Sequence, residues 1–380
     1  MDSAFIYDKY VTGKNFIGRK NTCTLLGNLL SQGEHVCLSE PPKTGKTSLI
    51  QQTLFGMRMS GKSFTVGQMS LLNIRSAEQM LLRMGSTLIR MVASTPSEYG
   101  DLVQKYLSDT HFVFDAALFA ERDEVLSTSW ELDQNDVHAL LSFPFRLSDA
   151  TGMRLILIVD EFQGISLCEG GDRLLHSLRD VLKEYLSSRL FSLILCGSRV
   201  NAMKAIFEDG ILFQRLVERV RLDPVDEREI ADHVVKGFLS GGKVIDKELL
   251  TGACKLFRNH LWYINHFAAI CDAKAKGYIM EPVLVDALSS LLSVHEVRFR
   301  AMVSGLTTHQ INLVKAVVEG DTHFSSSEVI RKYALNSSAN VKRVKDALMK
   351  KEILLFDDEE TPSFIDPLFE YWIRKYYFEK

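Results

Sequence analysis

The sequence offers few means of covalent or metal cross-linking. Its six cysteines among 380 residues, Cys23, Cys37, Cys168, Cys196, Cys254 and Cys271, lie far apart, with no Cys-x-x-Cys pair and no clustered histidines. Neither a zinc site nor a disulfide framework is indicated. Long apolar runs are missing too. Stretches such as Leu155 to Val159 fall far short of the roughly 20 residues that span a bilayer. The opening MDSAFIYDKY carries no apolar region of the secretory kind, so the expectation is a cytoplasmic protein with no membrane partner. No sign of charge dominates: a formal net charge of -3 argues against a wholly basic nucleic-acid binder, yet it leaves room for a local basic face. Internal repeats and low-complexity tracts are absent as well.

What is present is the balance of a globular chain, 46% hydrophobic and 24% charged. The length suits one large domain and one or two small ones of roughly 100 to 200 residues. From about Gly33 to Pro224, short apolar runs bounded by turn residues alternate with longer amphipathic stretches, the pattern of parallel strands with crossover helices. The expected strands are His35–Ser39, Ser63–Met69, Leu155–Val159, Phe191–Cys196 and Val220–Leu222. Ser94–Asn135 is poorly periodic and reads as an irregular insertion. From Asp226 to Arg300 only period-3.6 segments remain, opened by Asp226 and Glu229 in a capping-box relation, and a helical bundle is expected. After Leu306 come three helices and a hairpin, Ile353–Phe356 and Ser363–Ile365, around an acidic turn of Asp357, Asp358, Glu359 and Glu360. That succession describes a winged helix.

Glu40-Pro41-Pro42-Lys43-Thr44-Gly45-Lys46-Thr47 follows an expected strand and opens a helix, Ser48–Leu54, where a Walker A loop must sit. In such a loop backbone N–H groups curl around the β-phosphate and the helix N-terminus adds positive potential. Lys46 would reach the β- and γ-phosphates and Thr47 would ligate magnesium. Pro41, Pro42, Lys43, Thr44, Gly45 and Ser48 complete the expected nucleotide contacts. Glutamate at position 40 stands where the motif has its first glycine; the bland reading of the segment is a fortuitous turn. A second motif argues against that reading. Leu155–Val159 ends in Asp160 and Glu161, the form of a Walker B motif, with Asp160 for the metal and Glu161 to orient or deprotonate an attacking water; the alternative is a buried strand ending in a solvated acidic turn. Phe191–Cys196 runs into Gly197 and Ser198, and Ser198 is either a sensor of the γ-phosphate or a turn former. Arg215 and Arg219 are the arginines best suited to sense the γ-phosphate; the alternative is a solvated basic edge, four residues apart on a helix.

The order of these motifs resembles the archaeal-type ATPase family, close to the signal-transducing branch of the AAA-like ATPases and found in many bacterial genomes. The resemblance spans nearly the whole chain. It is carried by Phe16-Ile17-Gly18-Arg19, Pro41 to Ser48, Asp160-Glu161-Phe162-Gln163, Cys196-Gly197-Ser198 with Phe207 and Phe213, Arg215, Leu222-Asp223-Pro224, His260 to Tyr263, and Asp366 to Trp372. Three positions depart from the family pattern: Glu40, Thr22 in place of a glutamate, and Leu261 in place of a proline. The resemblance implies ATP and magnesium as cofactors, adds Gly18 and Arg19 to the nucleotide contacts, and implies a switching task. It also implies an α/β P-loop NTPase core with a parallel sheet (residues 1–224), an α-helical lid (225–302) and a C-terminal winged-helix domain (303–380).

In the last segment, residues 336–351 read as the third helix, with Val341, Val344, Ala347 and Leu348 on its apolar face. Lys342, Arg343, Lys345 and Lys350 lie on the other, as on a recognition helix touching duplex DNA. The acidic wing gives the opposite electrostatic advice, and a solvated face or a protein-docking face explains the lysines equally well. The functional expectation is a slow ATP-hydrolysing regulatory switch; the alternative is a nucleotide-stabilised scaffold for protein or DNA without significant turnover. The expected partners are ATP, a protein, DNA through the winged helix, and a further copy of the chain.

Overall fold

Parallel strands cannot be joined by tight turns, so every pairing in an all-parallel sheet needs a crossover. The computed structural model describes residues 4–209, 211–357 and 359–379. The chain forms two compact units, one of Lys20–Glu40 and Thr53–Leu222, the other of Met1–Arg19, Pro41–Gln52 and Asp223–Lys380.

The first unit is built on a five-stranded sheet of β1 (Val36–Ser39), β2 (Thr65–Ser70), β3 (Leu155–Asp160), β4 (Phe191–Gly197) and β5 (Glu218–Arg219), in the spatial order β2-β3-β4-β1-β5. Every pairing is parallel. Because helices cover both faces of such a sheet, its central strands must be apolar throughout rather than alternating. Accordingly β4 is buried over its whole length and β3 everywhere but at Asp160. Helices Ala77–Val92, Gln134–Thr151 and Gly171–Glu184 supply Leu88, Leu140, Phe143 and Leu178 to the same core.

Two expectations are corrected in this unit. Residues 94–135 are not irregular: they contain helices Pro96–Leu107 and Ala116–Arg122 and an antiparallel ribbon of Phe112–Val113 with Ser127–Thr128. Thr95 and Glu98 close a capping box, Pro96 occupies the first helical turn, and Tyr99, Val103 and Leu107 bury a stripe of four-residue spacing. The elements are too short for their period to stand out. The last strand pairs at Glu218 and Arg219 rather than at Val220–Leu222, with only the Val220 N–H continuing the ladder to Cys37 O at 3.0 Å. Backbone register against Val36 and Cys37, not apolarity, decides where this strand lies.

The second unit contains helices Glu227–Ser240, Lys247–Leu256 and Glu281–Ser304, together with α2 (Leu261–Lys274); α1 (Lys46–Met59) begins in it. Asp226 caps the first of these helices through the Arg228 N–H at 2.8 Å, rather than through a box with Glu229. Helices Thr308–Val318, Ser327–Lys332 and α3 (Ser338–Lys350) precede the hairpin Leu354–Phe356/Pro362–Phe364, and a short helix, Pro367–Trp372, follows it. Asp358 of the expected acidic turn lies outside the described residues. A single apolar cluster runs from Phe5 and Val225 through Leu313 to Trp372, and the Phe5 ring lies 4.7 Å from that of Phe238. Among the aromatic residues that follow the hairpin, Phe369 and Trp372 are buried, whereas Tyr376 and Tyr377 are exposed. Among the described residues no helix is long and apolar enough to cross a membrane.

Candidate nucleotide site

Six residues separate the end of β1 from the start of α1, and so abrupt a reversal takes the backbone through the left-handed region. Gly45 has φ +98° and Lys43 φ +64°. The glycine value suits no residue with a Cβ, and a Cβ there would also lie 2.8 Å from Arg19 Nη1. Arg19 donates from Nη1 to Thr44 O at 2.6 Å and from Nε to Asp223 O at 3.0 Å, fixing the loop to the chain that leads into the helical segment. Gly18, at φ +64°, precedes it; a Cβ there would meet Glu229 Oε2 at 2.9 Å. Within the loop the Thr44 hydroxyl donates to Pro41 O at 2.8 Å, and Lys46 Nζ donates to the same oxygen at 2.9 Å. Lys46 is buried. Thr47 lies exposed in the first turn of α1, and the Ser48 hydroxyl accepts from the Val11 N–H at 3.1 Å.

The segment before Gly18 shapes this site more than the sequence suggests. It runs along α1, where the Gly13 N–H also donates to Gln52 Oε1 at 2.7 Å, and it closes a cavity of about 340 Å³. The walls are the loop residues Lys43–Ser48, the N-terminal residues Tyr7, Tyr10 and Phe16, and Leu261, Trp262 and Asn265 of α2. Trp262 Nε1 donates to Tyr7 O at 2.6 Å and Asn265 Nδ2 to Ile6 O at 3.3 Å. Tyr263 is buried in the core, while its neighbour Trp262 lines the cavity. His260 precedes α2, and burial lowers its pKa although Asp366 acts in the opposite direction.

At the sheet edge β4 stands between β1 and β3. Ser39 is in register with Gly197, and the Glu40 N–H donates to Gly197 O at 3.3 Å. The ends of β1, β4 and β3, carrying Glu40, Ser198 and Asp160, therefore share the carboxyl edge, where open α/β sheets bind their ligands. Glu161 turns at φ +54°, and its N–H donates to Asp160 Oδ1 at 3.0 Å. Its own Oε2 accepts from the Ser198 hydroxyl at 2.7 Å and from Gln163 Nε2 at 2.5 Å. Glu161 and Ser198 are thus brought together, with Gln163 as a third member. The Glu40 carboxylate accepts from the Leu222 N–H at 3.0 Å. Arg215 is exposed at φ +62° in a turn before β5, and Arg219, on β5, pairs with Glu208. The helical basic edge that stood as the alternative for these two arginines does not form.

Residues 297–375 match the family model of a probable winged helix domain. No curated protein matches the chain. Among solved structures, the Walker-type ATPase of Pyrococcus abyssi superposes with a TM-score of 0.68 at 16% identity, covering 98% of this chain and 99% of that one. The chain has the fold of the Walker-type ATPases. The ORC2 protein of Aeropyrum pernix, in a structure described as its ADPNP-ADP complexes, gives a TM-score of 0.57 at 13% identity over 96% of this chain and 93% of its own. The ADP form of that protein gives 0.50 at 13% identity, over 94% and 92%. The likeness to these neighbours is one of fold, and it accords with the expected order of parallel α/β core, helical segment and winged helix.

In this Walker-type fold the winged helix presents less free positive charge than its sequence suggests. Lys342 and Arg343 of α3 are exposed. Lys345 pairs with Glu360 of the wing and lies 4.4 Å from the centre of the Phe356 ring.

Proposed function

We propose that the protein is a cytoplasmic ATP-binding switch that hydrolyses ATP slowly, with a core at 1–224, a lid at 225–302 and a winged helix at 303–380. One observation carries this reading: a Gly45-Lys46-Thr47 loop leaves β1 and opens α1, while Asp160 and Glu161 end β3 on the same sheet edge, one strand removed. The N–H groups opening α1, with Lys46, hold the β- and γ-phosphates. The base takes the cavity against the N-terminal segment. Magnesium suits the hard oxygen donors available, the Thr47 hydroxyl and the Asp160 carboxylate, and when bound it neutralises phosphate charge. Glu161 accepts the proton of an attacking water, Ser198 orients that water or the γ-phosphate, and Arg215 supplies positive charge to the transferring group.

The neighbour described with ADPNP and ADP supports nucleotide binding at this fold. A protein partner, duplex DNA at Lys342 and Arg343, and self-association complete the proposal. The alternative of a nucleotide-stabilised scaffold draws on the Glu161 carboxylate, which is already engaged by Ser198 and Gln163; phosphate release separates the two readings. Calorimetric titration with MgATP tests the site itself. Lys46→Ala should weaken binding at least tenfold, because a hydrogen bond to a charged group contributes roughly 1.5–3 kcal/mol. Affinity within twofold of wild type would refute the assignment.

A further inference from the structure

Lys43 lies in the phosphate loop but makes its contact outside it. Its left-handed backbone carries the ammonium to 3.4 Å from the centre of the Trp262 ring. That ring is itself held in place, since Trp262 Nε1 donates to Tyr7 O, and Tyr7 stacks on His266 with ring centres 4.2 Å apart. His295 closes the cluster, its ring centre 5.7 Å from that of Trp262. The charges around Lys43 do not favour its position. Burial lowers the pKa of His266 and takes that of His295 down to about 4, so neither ring adds a positive charge beside Lys43. Arg298 disfavours a second cation nearby. Asp366 favours one, but its carboxylate already accepts from the Tyr263 hydroxyl, which lies 2.9 Å from each of its oxygens, and it pairs with Arg298. Burial lowers the Lys43 pKa, and Arg298 acts in the same direction. Among the described residues Lys43 has no carboxylate partner, and it lines the same cavity as Arg19 and Lys46. The cavity lining carries the cations Lys9, Arg19, Lys43 and Lys46 against one carboxylate, Asp8.

We propose that Lys43 is a second phosphate-contacting cation of the loop, and that a nucleoside polyphosphate draws its ammonium from the Trp262 ring. This rests on the nucleotide reading above. Relative strengths favour the transfer: a cation over a partly exposed ring is held less tightly than one hydrogen-bonded to a phosphate oxygen, by roughly tenfold in an equilibrium constant. Losing its cation alters the surroundings of Trp262, whose indole N–H anchors Tyr7 of the segment lining the cavity. Phosphate occupancy is thereby reported to the N-terminal segment as well as to the loop.

Tryptophan emission of the full chain, titrated separately with MgATP, inorganic triphosphate and adenosine, tests this. The signal of Trp262 is taken as the difference between wild type and Trp262→Phe. Both phosphate compounds should change it and adenosine should not. Lys43→Met should abolish the change and weaken MgATP binding about five- to tenfold, whereas Lys43→Arg should retain both. If Lys43→Met binds MgATP as wild type does and keeps the emission change, while Lys46→Ala no longer binds, the role of Lys43 is overturned and the nucleotide site stands. If Lys46→Ala also binds like wild type, the site reading itself fails.

Discussion

Replacing Glu40 by glycine would restore the residue a Walker A loop ordinarily carries, yet the structure predicts a loss rather than a gain. The Glu40 carboxylate accepts from the Leu222 N–H at 3.0 Å, fixing the chain as it leaves β5. A hydrogen bond to an ionised acceptor contributes roughly 1.5–3 kcal/mol. Both residues are half-buried, and solvent screening reduces that to about 1–2 kcal/mol. Glycine adds roughly 0.5–1 kcal/mol of backbone entropy, so Glu40→Gly should destabilise the first unit by about 2 kcal/mol. Glu40→Gln keeps an acceptor and loses only the charge, so it should cost less than half as much. Urea unfolding of both variants, with hydrogen exchange followed over residues 218–224, measures the effect. Exchange at Leu222 should accelerate in the glycine variant, and MgATP affinity should not rise, because the carboxylate is committed to Leu222. A Glu40→Gly protein as stable as wild type, with unchanged Leu222 protection, would refute the reasoning.

Glu161→Gln should abolish phosphate release while leaving MgATP affinity within about threefold, since the amide keeps the shape and cannot take a proton; equal turnover in the two proteins would remove Glu161 from the mechanism. His35 gives a stability prediction with a defined sign. Burial, reinforced by Arg189, lowers its pKa to about 4, and its Nδ1 accepts from the Leu193 N–H at 3.1 Å, which only the neutral ring can do. The unfolded state therefore binds the proton more readily, and stability is lost as pH falls from 6.5 towards 4, by about 3 kcal/mol at the lower end. A substitution of His35 that leaves the acid limb of a thermal-unfolding pH series unchanged would exclude it as the source. If the winged helix binds duplex DNA, affinity should fall steeply with salt, and neutralising Lys342 and Arg343 together should lower the slope by about two, one per lost phosphate contact. Neutralising Lys345, already paired with Glu360, should change it far less. Absence of binding at low salt eliminates the DNA reading.

Most of the fold was legible because strand and helix periods are local properties. Leu155–Val159 and Phe191–Cys196 are buried on both faces, so their apolarity is continuous and unmistakable. The loop from Glu40 to Thr47 and the pair Asp160-Glu161 were equally visible, since strand–loop–helix and strand–carboxylate junctions place their chemistry on adjacent residues. Short elements were not. The helices and ribbon within residues 94–135 span too few turns to show a period, and β5 was misplaced because two-residue pairing leaves no pattern of its own.

The sequence by itself determined where a Gly-Lys-Thr loop follows a strand and where a strand ends in two carboxylates. Only the tertiary structure decided what surrounds them. Tyr7 and Trp262 meet across 255 positions and Glu40 and Leu222 across 182, distances over which no periodicity reports. That Ser198 and Gln163 share the Glu161 carboxylate, that Lys43 rests on Trp262, and that Glu360 takes Lys345 from the basic face each depends on where a side chain points after packing. A single sequence encodes that only through the folded whole, because the partners of a charge are set by three-dimensional neighbours and the burial they impose.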